Sequence, residues 1–306
     1  MRTREQEGEP LVNLSEITEI ELLILKRMRE LTMGEHRGLY HGSGFDLVGL
    51  HEWQAGDRLT SIDWPQSSIT SFNPIVVREF EQQSTAPVVV VADRSASTGC
   101  GIDGVPIAAV IARAVATIGM SAVFFQDMFG LITFDGGFQH VRAVRPRIGK
   151  GQVIHCLNAY QQGPGVQKVK QAGSLSTTIA ALLRRTSLVP VVSDFLFEKP
   201  QDVLQELSQL HSTHDVFLVL VDSAFAFELP RVSSGWIETV DIETGRSRLM
   251  SRTALRALAN RMRGWQDEVE RLARDLDLDV LRFGIDPVKS EVSLAEFVAE
   301  RRLRKM

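Results

Sequence analysis

Apolar positions along this chain follow two rhythms, and each predicts a different element. From Asn13 onward, Leu14, Ile17, Ile20, Leu23, Ile24 and Met28 recur at helical spacing, and Asn13 with Glu16 three residues on has the pattern of a capping box. After Pro87 the rhythm changes. "PVVVVAD" (87–93) is an unbroken β-branched run, as expected of a central strand buried on both faces. Residues 104–122, rich in Ala, Ile and Val, predict a helix, and "FGLITFD" (129–135) a second strand. "GGFQHVRAV" then supplies a turn and an edge strand returning antiparallel. A helix near 150–161 and a Gly/Gln/Lys-rich loop at 162–173 follow. "STTIAALLRRT" (176–186) predicts a helix, "LVPVVSD" (188–194) a strand, "QDVLQELSQLH" (201–211) a helix and "DVFLVLVD" (215–222) a strand. "WIETVDIETGRSRLM" (236–250) reads as a hairpin turning at Thr244–Gly245. A long helix over 252–277, a short strand at "DVLRFG" and a terminal helix complete the chain.

Strand and helix alternate, so the fold class is α/β: an open, mostly parallel sheet with helices on both faces and right-handed crossovers. Three segments are expected. Residues 1–34 form a polar tail and an amphipathic helix, and residues 87–306 hold the alternating pattern. Between them, residues 35–86 carry Gly38, Gly42, Gly44, Gly49 and Gly56 among short apolar stretches, which predicts a small β-rich unit. Trp53 and Trp64 are expected to pack that segment, with Trp64 substantially buried. No internal repeat is visible.

Composition narrows the function classes. With 34 basic and 38 acidic residues the net charge is −4, which gives no global attraction to nucleic acid or an anionic membrane. The basic end "ERRLRKM" reads as a solvated helix terminus. Two cysteines, Cys100 and Cys156, are too few for a disulfide framework and predict a reducing compartment. The opening "MRTREQEGEP" lacks the apolar core of a signal peptide, and "VFLVLV" falls far short of the ~20 residues of a membrane span. A soluble, cytoplasmic protein without a membrane span is expected.

Four predicted strands end on aspartate: Asp93, Asp135, Asp194 and Asp222. Any one of them is as well explained by solvent at a strand end or by a helix N-cap. Asp93 has more company. In "DRSAS" the carboxylate of Asp93 and the hydroxyls of Ser95 and Ser97 share one strand-to-helix turn, where alternate oxygens can converge. Such hard oxygen ligands suit Mg²⁺ or Mn²⁺ better than zinc. No G-x-S-x-G elbow, phosphate-binding P-loop or H-E-x-x-H helix occurs. Cys100, beside the turn, reads as a small apolar residue.

Three pieces together carry a resemblance: "DRSAS", then "GSLSTT", then a strand ending "VVSD". They resemble the metal-ion-dependent adhesion site of von Willebrand factor A domains. The resemblance implies Asp93, Ser95 and Ser97 as the first ligand group, Thr177 as the second and Asp194 as the third. Against the family's glycine–threonine–x–leucine helix start, Thr177 aligns with Ile179 following, and Ser176 replaces the glycine. It also implies that the strands ending at Asp93 and Asp194 are neighbours, with Asp222 one strand too far for direct ligation and Asp135 structural. The flanks "GSGFDLVGLHEWQAGDRLTSIDW", "VVREFEQQ" and "DIETGRS" are similar to a bacterial family known as domain of unknown function fifty-eight, usually encoded beside MoxR-type AAA⁺ ATPases. Thr60 and Ile69 stand where relatives often carry arginine.

The resemblance implies a non-enzymatic binding module. A Mg-type ion held by Asp93, Ser95, Ser97, Thr177 and Asp194 would keep a coordination position for a partner's Asp or Glu, the partner being a MoxR-type ATPase or its client. The alternatives are a metal-dependent hydrolase, which needs a general base near the ion, and a metal-free scaffold in which the hydroxyls cap the turn after Asp93.

Overall fold

The computed structural model describes residues 10–33, 47–54, 57, 62–80, 87–102, 104–135, 141–162, 167–168, 175–197, 199–227, 236–240 and 247–304. Thr60, the hairpin turn at 244–245 and most of the 162–173 loop lie outside these residues. The chain divides into two compact units, one of Arg29–Thr85 and one of Met1–Met28 with Ala86–Met306.

In the first unit β1 (Leu47–Glu52) and β2 (Val76–Phe80) pair antiparallel, and α2 (Trp64–Ile69) lies between them in sequence. The predicted β-character is present, but the short helix was not legible from the glycine pattern. Asp63 is the N-cap, accepting from the Gln66 amide at 3.1 Å, and Pro65 occupies the first turn, where its missing N–H costs nothing. Trp64 is not substantially buried as the sequence suggested. It starts this helix and is 58% exposed.

The larger unit opens with α1 (Leu14–Met33), whose residues up to Met28 belong to it. Its capping box is formed in both directions: the Asn13 amide donates to Glu16 Oε2 at 2.8 Å and the Glu16 amide donates to Asn13 Oδ1 at 2.9 Å. The chain continues through β3 (Val88–Asp93), a small ribbon of β4 (Gly101–Ile102) and β5 (Val105–Pro106), and α3 (Ile107–Phe124). Then come β6 (Phe129–Phe134), β7 (Arg142–Arg147), α4 (Lys150–Gln162), β8 (Gln167–Lys168), α5 (Leu175–Leu182) and β9 (Leu188–Ser193). After α6 (Pro200–His211) and β10 (Asp215–Val221), the hairpin β11 (Trp236–Val240)–β12 (Ser247–Ser251) precedes α7 (Arg252–Asp275), β13 (Asp279–Phe283) and α8 (Pro287–Arg304).

The main sheet has the order β13-β10-β9-β3-β6-β7-β8. Neighbours from β13 to β6 run parallel, and β7 returns antiparallel as its turn signal predicted. Strand alternation feeds two cores. Val88, Val90 and Ala92 face a layer of α1, α3, α4 and α8, whereas Val89 and Val91 face α5, α6 and α7. Burial on both faces is why these strands are continuous apolar runs rather than alternating ones. Gly119 lets α3 lie close to its neighbours; a Cβ there would sit 2.8 Å from Val153 and 3.0 Å from Phe129.

The helix Ile107–Phe124 is long and apolar enough to cross a membrane by length and composition. In this fold 72% of it is buried, on the sheet and between helices.

On α1, Ile17, Ile20, Ile24 and Met28 belong to the same core as α3 and α8. Ile20→Ala and Ile24→Ala are each expected to cost about 2–5 kcal/mol, read by chemical denaturation. A fragment starting at Ala86, which loses all four side chains, is expected to aggregate or unfold without a cooperative transition.

Candidate metal centre

From β3 the chain crosses to β6 on one side, and it later returns to β9 on the other. The carboxyl ends of β3 and β9 therefore flank the point where strand order reverses, the crevice that open α/β sheets use for ligands. Asp93 closes β3 and Asp194 follows β9, so parallel neighbours deliver both carboxylates to one place. Each residue is 0% exposed.

Asp93 is held from three directions. Its Oδ1 accepts from the Ser95 amide at 2.7 Å, and its Oδ2 accepts from the Ser193 hydroxyl at 2.5 Å. Its backbone carbonyl accepts from the Tyr160 hydroxyl of α4 at 2.8 Å. The hydroxyls of Ser95 and Ser97 lie 2.9 Å apart on the short 3₁₀ turn after β3. Asp194 Oδ1 accepts from the Leu196 amide at 3.2 Å. The Ser97 hydroxyl is near enough to favour its ionised form. Asp194 Oδ2 is buried, with no donor in hydrogen-bonding geometry among the described residues.

The peptide around Asp194 is fixed as firmly as its side chain. Phe195, fully buried, adopts φ +53°, a left-handed conformation that is unfavourable for a bulky residue. Gln266 of α7 donates from its Nε2 to the Asp194 carbonyl at 3.2 Å and to the Val221 carbonyl at 2.7 Å, tying the ends of β9 and β10 together. Trp265 Nε1 donates to the Phe195 carbonyl at 3.0 Å. Ser193 itself accepts from the Phe195 amide at 2.9 Å while donating to Asp93, so one hydroxyl couples the two strand ends.

Electrostatically the pair is unbalanced. Burial, followed by the Asp93 charge, pushes the Asp194 carboxyl up to about 7. Burial also raises Asp93, against the lowering hydrogen bonds from Ser193 and Ser95. Among the described residues no Lys or Arg hydrogen-bonds either carboxylate. Two buried carboxylates side by side need a shared proton or a cation. The donor set of two carboxylates and adjacent hydroxyls, with one carboxylate oxygen unsatisfied, fits a hard divalent ion. Among the described residues no three His, Cys, Asp or Glu side chains come together, so hydroxyls must complete any such shell.

Of the five predicted ligands, Asp93, Ser95, Ser97 and Asp194 thus come together. Thr177 is the third residue of α5 and is exposed, flanked by the buried Ser176 and Thr178. Asp222 accepts from the Ala224 amide at 2.9 Å as a local turn cap. Ser193, Tyr160 and Gln266 were not picked out from the sequence. Ser193 is the last residue of an apolar strand, and the other two sit on amphipathic helices where nothing in their spacing marks them.

The fold and site define an open α/β protein with a buried acid pair at its switch point. The chain belongs to the family described as protein of unknown function DUF58, which it matches over residues 50–268. It is 26% identical over 236 residues to an uncharacterized protein of Mycobacterium tuberculosis (strain ATCC 25618 / H37Rv), covering 74% of this chain and 69% of that one. Solved structures with partial likeness include an aerotolerance-related membrane protein from Bacteroides fragilis, at 10% identity and TM-score 0.42, covering 70% of this chain and 99% of that one. Another is BatB from Bacteroides thetaiotaomicron, at 12% identity and TM-score 0.39, covering 70% and 99%.

The raised Asp194 carboxyl has a pH signature with a defined sign. An unfolded aspartate titrates near 3.8 and the folded one near 7, so between these values the unfolded chain is ionised while the folded group keeps its proton. The stability contributed by this group is complete below the lower value and is lost as pH rises through the upper one. In EDTA, Asp194→Asn is expected to gain on wild type progressively from about pH 4 to pH 7 in Tm. A difference that stays flat over that range would show that the carboxyl is not perturbed.

Proposed function

We propose that this protein is a non-enzymatic, metal-dependent protein-binding module with a von Willebrand factor A-like fold, and that it acts as an adaptor of a MoxR-type AAA⁺ ATPase in the cytoplasm. The observation that carries the reading is the buried Asp93–Asp194 pair with Asp194 Oδ2 left without a donor. Asp93, Ser95, Ser97, Asp194 and, from α5, Thr177 would hold a Mg²⁺- or Mn²⁺-type ion. The ion would supply a positive centre with room for one further oxygen ligand, here a partner's Asp or Glu carboxylate.

The chain's own groups have distinct roles in this reading. Ser193 and the Ser95 amide orient Asp93 and favour its ionised form. Gln266 and Trp265 keep the Asp194 loop in place. Two carboxylates neutralise a divalent ion without making the centre anionic, so an incoming carboxylate can fill an open oxygen position without net repulsion. The metal-free scaffold is the less favoured reading because above about pH 7, where Asp194 loses its proton, it leaves two buried carboxylates uncompensated.

Thermal unfolding in Mg²⁺ and in EDTA tests the metal step. A ligand at 100 times its Kd that binds only the native state adds about 2.7 kcal/mol. Wild type is therefore expected to gain several degrees in Mg²⁺, and Asp194→Ala none. The mutant should unfold no earlier than wild type in EDTA, since it removes a repelling carboxylate and opens no apolar cavity. A much lower Tm for the mutant in EDTA would make Asp194 a structural cap. Partner capture from the native host, identified by mass spectrometry, is expected to recover an AAA⁺ ATPase in Mg²⁺ with wild type and to lose it with Asp93→Ala.

A further inference from the structure

The same end of the sheet carries charge of the opposite sign. Arg94 directly follows Asp93, and its amide donates to the Phe134 carbonyl at 2.8 Å, extending β3 against β6. Val88, Val90 and Ala92 face the α3–α4 side, so Arg94 continues that alternation. Its guanidinium accordingly lies over the Tyr160 ring of α4, 5.9 Å from the centroid. Arg142, the first residue of β7, is in register with Thr133 of β6. Ile132 and Phe134, on either side of Thr133, face α5–α7. Paired residues share a face, so Arg142 stands on the α3–α4 side with Arg94. The two arginines straddle one strand, two spacings of about 4.8 Å apart at the backbone.

Both are half-buried. Arg113 is matched by Glu16 and Glu291, Arg301 by Asp215 and Asp279, and Arg302 by Asp127. Arg94 and Arg142 have no carboxylate partner among the described residues. The one polar contact of the Arg94 guanidinium there is a long 3.5 Å donation to the Gln161 carbonyl. The segment joining β6 to β7 ("DGGFQHV", 135–141) holds one acid, Asp135, and that joining α4 to α5 ("GPGVQKVKQAGS", 163–174) holds none. Lys168 is in register with Arg142. Two like charges held partly out of water, neither ion-paired among the described residues, can take up an anion.

We infer that Arg94 and Arg142 form a second anchor, at the same rim as the carboxylate pair, for an acidic segment of the protein partner. One acid of that segment would go to the ion at Asp93 and Asp194, and another to the arginines. The metal contact rests on the proposed function; the arginine contact stands on its own geometry. A short carboxylate-bearing segment fits better than an extended polyanion because the anchor consists of two arginines on a chain of net charge −4.

The test uses the full chain and a fluorescein-labelled ten-residue peptide of alternating Glu and Gly, followed by anisotropy in Mg²⁺ and in EDTA. Wild type should bind in Mg²⁺. Arg94→Gln and Arg142→Gln should each weaken binding about tenfold, the size of a lost charge-assisted hydrogen bond. The Tm gain in Mg²⁺ should not change in either variant. Arg142→Glu guards against a folding effect at Arg94, which stacks on Tyr160, and should abolish binding while Arg142→Lys retains part of it. Binding that is equal in Mg²⁺ and EDTA yet lost in Arg142→Glu would keep the arginine anchor and remove the metal bridge. Undiminished binding by Arg142→Glu, or no peptide binding at all, would overturn the inference. So would equal competition by phosphatidylserine vesicles or by oligo-dT.

Discussion

Two carboxylates brought side by side out of water govern how this protein is built. Bringing them there requires β3 and β9 to be parallel neighbours with their ends level, which the return of the chain across the sheet provides. Keeping them there requires support that does not come from opposite charge. The support consists of hydroxyls, amides and peptide carbonyls: Ser193 and Ser95 on Asp93, Tyr160 behind it, and Gln266 behind Asp194. Apolar packing fixes the strands; this polar scaffold fixes the acids at their tips.

Much of the scaffold was readable from residue order because burial imposes periodicity. "PVVVVAD" and "DVFLVLVD" had to be central strands, since only a strand covered on both faces uses an unbroken β-branched run. Asn13 and Glu16 announced the start of α1 because a capping box is a local, reciprocal geometry. The first half of the site was legible for the same reason. Asp93, Ser95 and Ser97 lie within one turn, so their convergence needs no knowledge of the rest of the chain.

What stayed hidden depends on long-range placement. Ser193 looks like any small residue at the end of a strand, and only the neighbouring β3 gives its hydroxyl a carboxylate to hold. Tyr160 and Gln266 reach the site from 67 and 72 residues away in sequence. Arg94 and Arg142 come to one face because neighbouring residues across β3, β6 and β7 share it, which requires the pairing register. Trp64 failed as a core expectation because its size argued for burial while its place at the start of a capped helix left it exposed.

The Gln266 amide has a consequence for how the fold can move. One side-chain nitrogen serves two carbonyls on different strands, and it is buried, so neither carbonyl can turn to water if the bond is lost. The loop that carries Asp194 cannot shift alone; it must drag α7 or leave an orphaned acceptor behind it. The acid at one end of the sheet is therefore tied to a 24-residue helix that begins at the β11–β12 hairpin. That helix is a lever whose short arm is an amide group.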